Sequence, residues 1–272
     1  MIKTLITIPA RYASTRLPGK PLMKILGKEM LLRVYENAQK VASQFDSCQI
    51  IVATEDQRIV DFCQAHQVPC QLTSDQCKTG TDRVMEVIRS LPEKPAFVVN
   101  LQGDNPLCPP WFVEAVVDTY YKNPTVQVVT PFIQLSWQEL DELRLNKKTT
   151  PFSGTTIVMD KEQNAYYFSK NIIPAIRKEE SLKEKQEVSP VCRHIGLYGY
   201  QTDVLEKFVS LPEGVYEKLE GLEQLRFIEN GFKVKCVPVS YGKYKAMAAL
   251  SGVDNPEDIE RVEKVLKEYG EF

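Results

Sequence analysis

The sequence predicts an α/β fold: a doubly wound, mostly parallel sheet with a smaller lobe attached. Three observations carry that prediction. Strand-like and helix-like segments alternate through the first 130 residues, the run Ala96 to Leu101 is almost wholly apolar, and beyond Thr155 the segments become shorter and more closely spaced. Alternation of this kind implies βαβ units with right-handed crossovers. An unbroken apolar strand implies cover on both faces.

Thr4 to Ile8 reads as the first strand. Met30 to Ala42 then carries Leu31, Leu32, Val34, Tyr35, Ala38 and Val41 at helical spacing. Gln49 to Ala53 and Pro69 to Leu72 read as strands around a helix at Gln57 to His66. A helix over Asp82 to Leu91 precedes the central strand Ala96 to Leu101, which is followed by a helix at Trp111 to Tyr121 and a strand at Val126 to Phe132. In the second half, strands are expected at Thr155 to Met159, Tyr166 to Ser169 and Arg193 to Tyr200, and the charged run Lys178 to Glu187 reads as a solvated loop. Helical segments near Val204 to Val209 and Leu222 to Asn230, a strand at Lys233 to Pro238 and a last helix at Pro256 to Tyr269 complete the reading. One domain is expected, in parts of about 1–132, 133–240 and 241–272.

The 272 residues are 43% hydrophobic and 26% charged, ordinary for a globular enzyme. A net charge of -2 supplies no overall field for nucleic acid or an anionic membrane, so anion affinity must come from a local cluster. The amino-terminal residues lack the pattern of a signal peptide, and no run approaches the ~18 apolar residues of a membrane span. None of the seven cysteines forms a C-x-x-C pair, and the evenly spaced Cys63, Cys70 and Cys77 lack partners at zinc spacing. Reduced thiols in the cytoplasm are the expectation.

The first strand runs into Pro9-Ala10-Arg11-Tyr12-Ala13-Ser14-Thr15-Arg16-Leu17-Pro18-Gly19-Lys20-Pro21. As the first βα turn it lies at the ligand edge of such a sheet. It is neither a G-x-G-x-x-G nor a Walker A loop, so phosphate recognition would rest on the side chains of Arg11, Arg16 and Lys20. The plainer reading is a basic surface loop; the sharper one is a clamp on a triphosphate.

Two carboxylates stand out. Asp104, in Gln102-Gly103-Asp104-Asn105-Pro106, follows the central strand, where it serves equally well as a turn former or as a ligand for a phosphate-bridging divalent cation. Asp254 precedes Asn255-Pro256-Glu257-Asp258, in which Asn255 is the natural N-cap and Pro256 the first helical residue. Asp254 is thereby left one residue outside the helix, and the two aspartates together could hold one Mg²⁺. On the other side, Arg177 suits bidentate capture of a carboxylate or is simply exposed. His194 is most simply a satisfied core histidine, and Tyr198, four residues on in the same expected strand, shares its face. Glu223 and Gln224 equally fit the solvated face of a helix.

These segments together resemble the 3-deoxy-manno-octulosonate (Kdo) cytidylyltransferases. The likeness runs nearly end to end: Ile8 to Arg11, Ser14 to Leu22, Gly80 to Arg83, Asn100 to Asp104, Tyr167 to Ser169, Ile173-Pro174 with Arg177, His194 to Tyr200, Leu222 to Arg226 and Gly252 to Asp254. The resemblance implies a nucleotide-diphospho-sugar transferase-like fold and transfer of CMP from CTP to the anomeric hydroxyl of Kdo, with release of pyrophosphate, for lipopolysaccharide. It assigns Pro9, Ala10, Arg11, Arg16, Lys20, Arg83, Gln102 and Gly103 to the nucleotide, with Lys20, Arg16 and Asp104 catalytic. It assigns Asp104 and Asp254 to Mg²⁺, and Arg177, His194, Tyr198, Glu223 and Gln224 to the acceptor. It also implies a cytoplasmic homodimer, with the middle part of the chain as acceptor and dimerisation lobe.

The chain departs from the family pattern at Asn105, Lys170 and Thr155 to Val158, and in the stretch Tyr241 to Leu250. The departures at Asn105 and Thr156 make a different acid, such as an 8-amino-Kdo or a nonulosonic acid, the first alternative. A nucleotide-sugar-consuming glycosyltransferase would want an Asp-x-Asp motif that Gly103-Asp104-Asn105 does not supply. A non-catalytic nucleotide binder would not need both aspartates.

Overall fold

Six consecutive buried residues make β1 (Thr4–Pro9), with Ile6 and Ile8 turned to one face of the sheet and Leu5 to the other. The computed structural model describes residues 3–13, 17–244 and 252–272. After β1 and a single 3₁₀ turn at Lys20–Leu22 comes a small hairpin, β2 (Lys24–Ile25) and β3 (Lys28–Glu29). The winding then proceeds through α1 (Met30–Ala42), β4 (Cys48–Thr54), α2 (Gln57–Ala65), β5 (Cys70–Leu72), α3 (Gly80–Ser90), β6 (Phe97–Asn100), α4 (Pro110–Lys122) and β7 (Val128–Ser136). The second half contributes α5 (Trp137–Asn146), β8 (Thr156–Met159), β9 (Ala165–Ser169), α6 (Glu179–Lys183), β10 (Val188–His194), β11 (Tyr198–Gln201), α7 (Thr202–Ser210), α8 (Val215–Glu220), α9 (Leu225–Glu229), β12 (Val234–Pro238) and α10 (Pro256–Tyr269).

Ten of these strands form one sheet in the order β5-β4-β1-β6-β11-β7-β10-β8-β9, with β12 on β7. The pairs among β1, β4, β5 and β6 are parallel, as is β12 on β7, while β11, β10, β8 and β9 join antiparallel. Helices cover both faces. One core gathers α1, α4 and α10 over Ile6, Ile8 and Val99; the other gathers α3, α7 and α9 over Leu5, Val98 and Val128. On α1 alone, Met30, Leu31, Val34, Ala38 and Val41 are at most 1% exposed. Each of the larger side chains contributes about 1.5–3 kcal/mol through that burial.

The second half differs from the sequence expectation in identifiable places. The single strand expected at Arg193 to Tyr200 is two strands: β10 pairs with the second half of β7 and β11 with its first, and Ile195-Gly196-Leu197 bends between them. Thr130 fills the bend, its hydroxyl donating to the carbonyls of Ile195 and Leu197. β7 runs on to Ser136, which caps α5 through a reciprocal box with Glu139. The charged run contains the one-turn α6, where Glu179 takes both amino groups of Arg144 at 2.8 and 2.6 Å. Gly199 lets β11 lie against β6, since a Cβ there would meet the Phe97 ring at 2.3 Å.

Candidate active site

The site forms where β1 and β6 end side by side. Gly103 permits the approach: its N–H donates to the Pro9 carbonyl at 3.2 Å, and a Cβ on it would stand 2.8 Å from that same oxygen. Ala10 is held by its N–H donating to the Ala53 carbonyl at 2.8 Å. Asp104 therefore leaves the sheet edge next to the loop that follows β1.

Lys20 lies in the 3₁₀ turn, 9% exposed, and its ammonium points at the carboxylates. It donates to Asp104 Oδ2 at 2.8 Å, to the Val253 carbonyl at 2.6 Å and to Asp254 Oδ1 at 3.5 Å. Val253 is fully buried, and its N–H returns to the Asp104 carbonyl at 2.9 Å. Behind it, Asn255 caps α10 as expected, in a box with Asp258. One Asp258 oxygen also accepts the Asp254 and Asn255 N–H groups, both at 2.9 Å. The first turn of α10 thus fixes the backbone at Asp254. Three segments far apart in sequence thus bring one ammonium nitrogen, two carboxylate oxygens and a carbonyl oxygen to one point.

Around this point the described part of the first loop is exposed at Arg11, whose guanidinium donates to the Cys77 carbonyl. Arg16 lies outside the described residues. Gln102 donates to Asn100 Oδ1 at 2.9 Å, and its side chain lies 3.4 Å from where a Cβ on Gly80 would be, at the start of α3. Arg83, expected around the nucleotide, is instead 1% exposed and beneath the loop. It pairs with Glu55 at 3.0 Å and donates to the Thr73 hydroxyl, while the other Glu55 oxygen accepts the Tyr12 N–H at 3.1 Å. Arg83 thus reaches the loop through Glu55. The sequence reading passed over Glu55, although it follows strand Gln49 to Ala53 at the same ligand edge as Asp104.

On the other side of β6, His194 and Tyr198 meet across the bend with ring centroids 5.3 Å apart. His194 Nε2 shares a hydrogen bond with the Thr130 hydroxyl at 2.9 Å. Burial, with Lys170 and Arg193 adding to it, pulls the imidazole pKa down to about 3, so the ring is neutral at physiological pH. The Tyr198 hydroxyl is buried and has no hydrogen-bond partner among the described residues. Burial pushes its pKa well above the ordinary phenol value, and Tyr200 and Glu223 add to the rise. Glu223 accepts from the Thr81 hydroxyl at 3.0 Å, and burial raises its carboxyl above the usual range. Gln224 is 7% exposed. His194, Tyr198 and Glu223 thus share one partly buried polar patch. Arg177 is not brought to it: it is exposed on the loop after β9, and no described residue forms a hydrogen bond or ion pair with it. Thr156 is fully buried, its hydroxyl donating to the Asn171 carbonyl at 2.7 Å and accepting the Ile173 N–H at 3.0 Å. That departure from the family pattern is absorbed in holding the loop.

A cationic turn against two carboxylates, at the carboxyl edge of a parallel sheet, defines an α/β protein that handles nucleoside phosphates. The chain belongs to the cytidylyltransferase family, whose model matches residues 5–236. It is 41% identical over 271 residues to a 3-deoxy-manno-octulosonate cytidylyltransferase of Maricaulis maris, covering 100% of both chains. It is 40% identical to the protein of that name from Syntrophotalea carbinolica, over 96% of this chain and 97% of the relative. Among solved structures, a CMP:2-keto-3-deoxy-manno-octonic acid synthetase complexed with CTP superposes with a TM-score of 0.81 at 34% identity, covering 98% of this chain and 99% of the other.

Proposed function

We propose that the protein transfers CMP from CTP to the anomeric hydroxyl of Kdo, or of a closely similar sugar acid, releasing pyrophosphate and supplying lipopolysaccharide synthesis in the cytoplasm. The observation that carries the reading is the convergence of Lys20, Asp104 and Asp254, within a chain that matches Kdo-activating relatives over its whole length. The relative solved with CTP supports the choice of nucleotide.

The donor set fits Mg²⁺. Asp104, Asp254 and the Val253 carbonyl already surround a cation, the Lys20 ammonium, with hard oxygens. Mg²⁺ takes few protein ligands and leaves the remaining positions to phosphate and water. Bound there, it would supply neutralisation of phosphate charge and a lowered pKa for a coordinated hydroxyl. The rest is positioning and charge complementarity by the chain itself. Lys20, Arg11 and Arg16 bind the triphosphate and stabilise the departing pyrophosphate. Gln102 and Gly103 line the nucleotide, with Arg83 bracing the loop through Glu55. Neutral His194, Tyr198 and Glu223 present hydrogen-bonding groups to the hydroxyls of the acceptor. Homodimerisation is supported by the exposed apolar side chains Val215, Tyr216 and Leu219 of α8 beside the edge strand β9. The ring contact of Tyr216 with Tyr167, 5.8 Å between centroids, joins the two elements.

Pyrophosphate release with CTP across a panel of Kdo, 8-amino-Kdo and a nonulosonic acid tests the acceptor; the preferred acid is the one with the largest kcat/KM. Asp104→Asn is expected to abolish turnover while CTP binding largely survives. Equal rates in variant and wild type refute the assigned role of Asp104.

A further inference from the structure

The seat assigned to the divalent cation is already taken by the chain's own ammonium. Lys20 Nζ lies 2.8 Å from Asp104 Oδ2, 2.6 Å from the Val253 carbonyl and 3.5 Å from Asp254 Oδ1. Its side chain is 11% exposed, so it is sunk between the acids rather than resting over them. The same residue stands on the loop that faces the triphosphate. A metal ion and this ammonium compete for those oxygens, because both are positive and both draw on the same two carboxylates and carbonyl.

We infer that Lys20 is an internal competitor for the metal site, so that the free protein binds divalent cation weakly and CTP opens the site by drawing Lys20 onto its phosphates. The inference rests on the metal reading given above and adds to it an order and a coupling. Without nucleotide, withdrawing Lys20 breaks its contacts with both carboxylates and the Val253 carbonyl, and the apparent metal affinity falls by the fraction of molecules in which the seat is clear. Phosphate oxygens offer the ammonium a second partner of like chemistry. By linkage, metal then strengthens CTP binding by the factor by which CTP strengthens metal binding. The geometry keeps the carboxylates neutralised and close together before substrate arrives. Two carboxylates held this close without a cation would repel one another.

The test is Mn²⁺ binding followed by electron paramagnetic resonance on the intact protein with no nucleotide present. Lys20→Met keeps the length of the side chain and removes its charge. It is expected to bind Mn²⁺ about tenfold more tightly than wild type, since hydrogen bonds to charged groups no longer have to be broken. Lys20→Arg stays as weak as wild type. Asp104→Asn weakens binding in either background. Unchanged Mn²⁺ affinity in Asp104→Asn removes the metal reading itself. Loss in Asp104→Asn together with equal or weaker binding in Lys20→Met overturns the competition alone. A second measurement needs no variant: mass spectrometry of lysine acylation in wild type, where saturating Mn²⁺ is expected to raise labelling of Lys20 severalfold over the metal-free protein. Labelling that Mn²⁺ leaves unchanged overturns the proposal.

Discussion

Replacing Gly103 by alanine puts the construction of the sheet edge to a quantitative test. The added Cβ would stand 2.8 Å from the Pro9 carbonyl oxygen and 3.4 Å from both Ala10 Cβ and Ile8 Cγ2. Unstrained contacts begin near 3.5 Å, so the ends of β1 and β6 must part by on the order of half an ångström. All the neighbours are backbone or tightly packed side chains: Ile8 is fully buried and Ala10 is 2% exposed. The shift cannot be absorbed by a rotamer. Overpacking of that kind costs about 1–3 kcal/mol, which for a chain of this size lowers Tm by roughly 2–10 °C. The Gly103 N–H to Pro9 hydrogen bond at 3.2 Å lengthens with it. Asp104, the next residue, moves away from Lys20 and Val253. Since a misplacement of about 1 Å costs on the order of a hundredfold in rate, half that shift predicts roughly a tenfold fall in kcat/KM for CTP. Differential scanning calorimetry and a pyrophosphate-release assay read the two effects. A Tm unchanged to about 1 °C together with a kcat/KM within about twofold of wild type would show that β1 and β6 are not held together as described.

Arg83→Ala strips the partner from Glu55 inside the protein and is expected to cost about 3–5 kcal/mol in urea unfolding. Arg83→Met, which keeps the bulk, costs less than that, and a loss below about 1 kcal/mol for the alanine variant contradicts the bracing role. Stability of the wild type falls as pH drops from 6.5 toward 3, because the His194 imidazole takes a proton at its ordinary pKa of 6.5 when unfolded but resists to about 3 when folded. The unfolded chain binds the extra proton across that window, giving a slope of up to about 1.4 kcal/mol per pH unit. His194→Gln removes that share of the slope; identical pH profiles contradict it. Leu219→Asp, at a side chain 76% exposed, leaves the fold intact and yields monomers in analytical ultracentrifugation if α8 forms the dimer contact; an undiminished dimer places the contact elsewhere.

Most of the first half of the fold was readable because its helices are long and strongly patterned, while the two-residue strands β2 and β3 are too short to leave a pattern. Met30 to Ala42 is α1 to the residue, and Asn255-Pro256 announces α10 unambiguously. The second half was harder for physical reasons. On α5 only Leu140 and Leu143 are buried, so the apolar stripe is too short to register, although the Ser136–Glu139 box was there to be seen. The apolar continuity from Ile195 to Tyr200 concealed a bend whose sequence sign was Gly196. At the site, Lys20, Asp104 and Asp254 were all picked out, and the structure brings them within hydrogen-bonding reach of one atom. The position of the ammonium between the acids was not visible, because it depends on where a 3₁₀ turn directs one side chain. Glu55 escaped for a similar reason: its importance comes from a pairing with Arg83 that only the folded chain creates.

Lys20 and Asp254 stand 234 positions apart, yet they share a hydrogen bond. A chain without the segment around α10 would lose the Val253 carbonyl and Asp254, two of the three oxygens gathered around the Lys20 ammonium. The long closure that makes such a contact slow to form also ties the turn after β1 to the docking of α10.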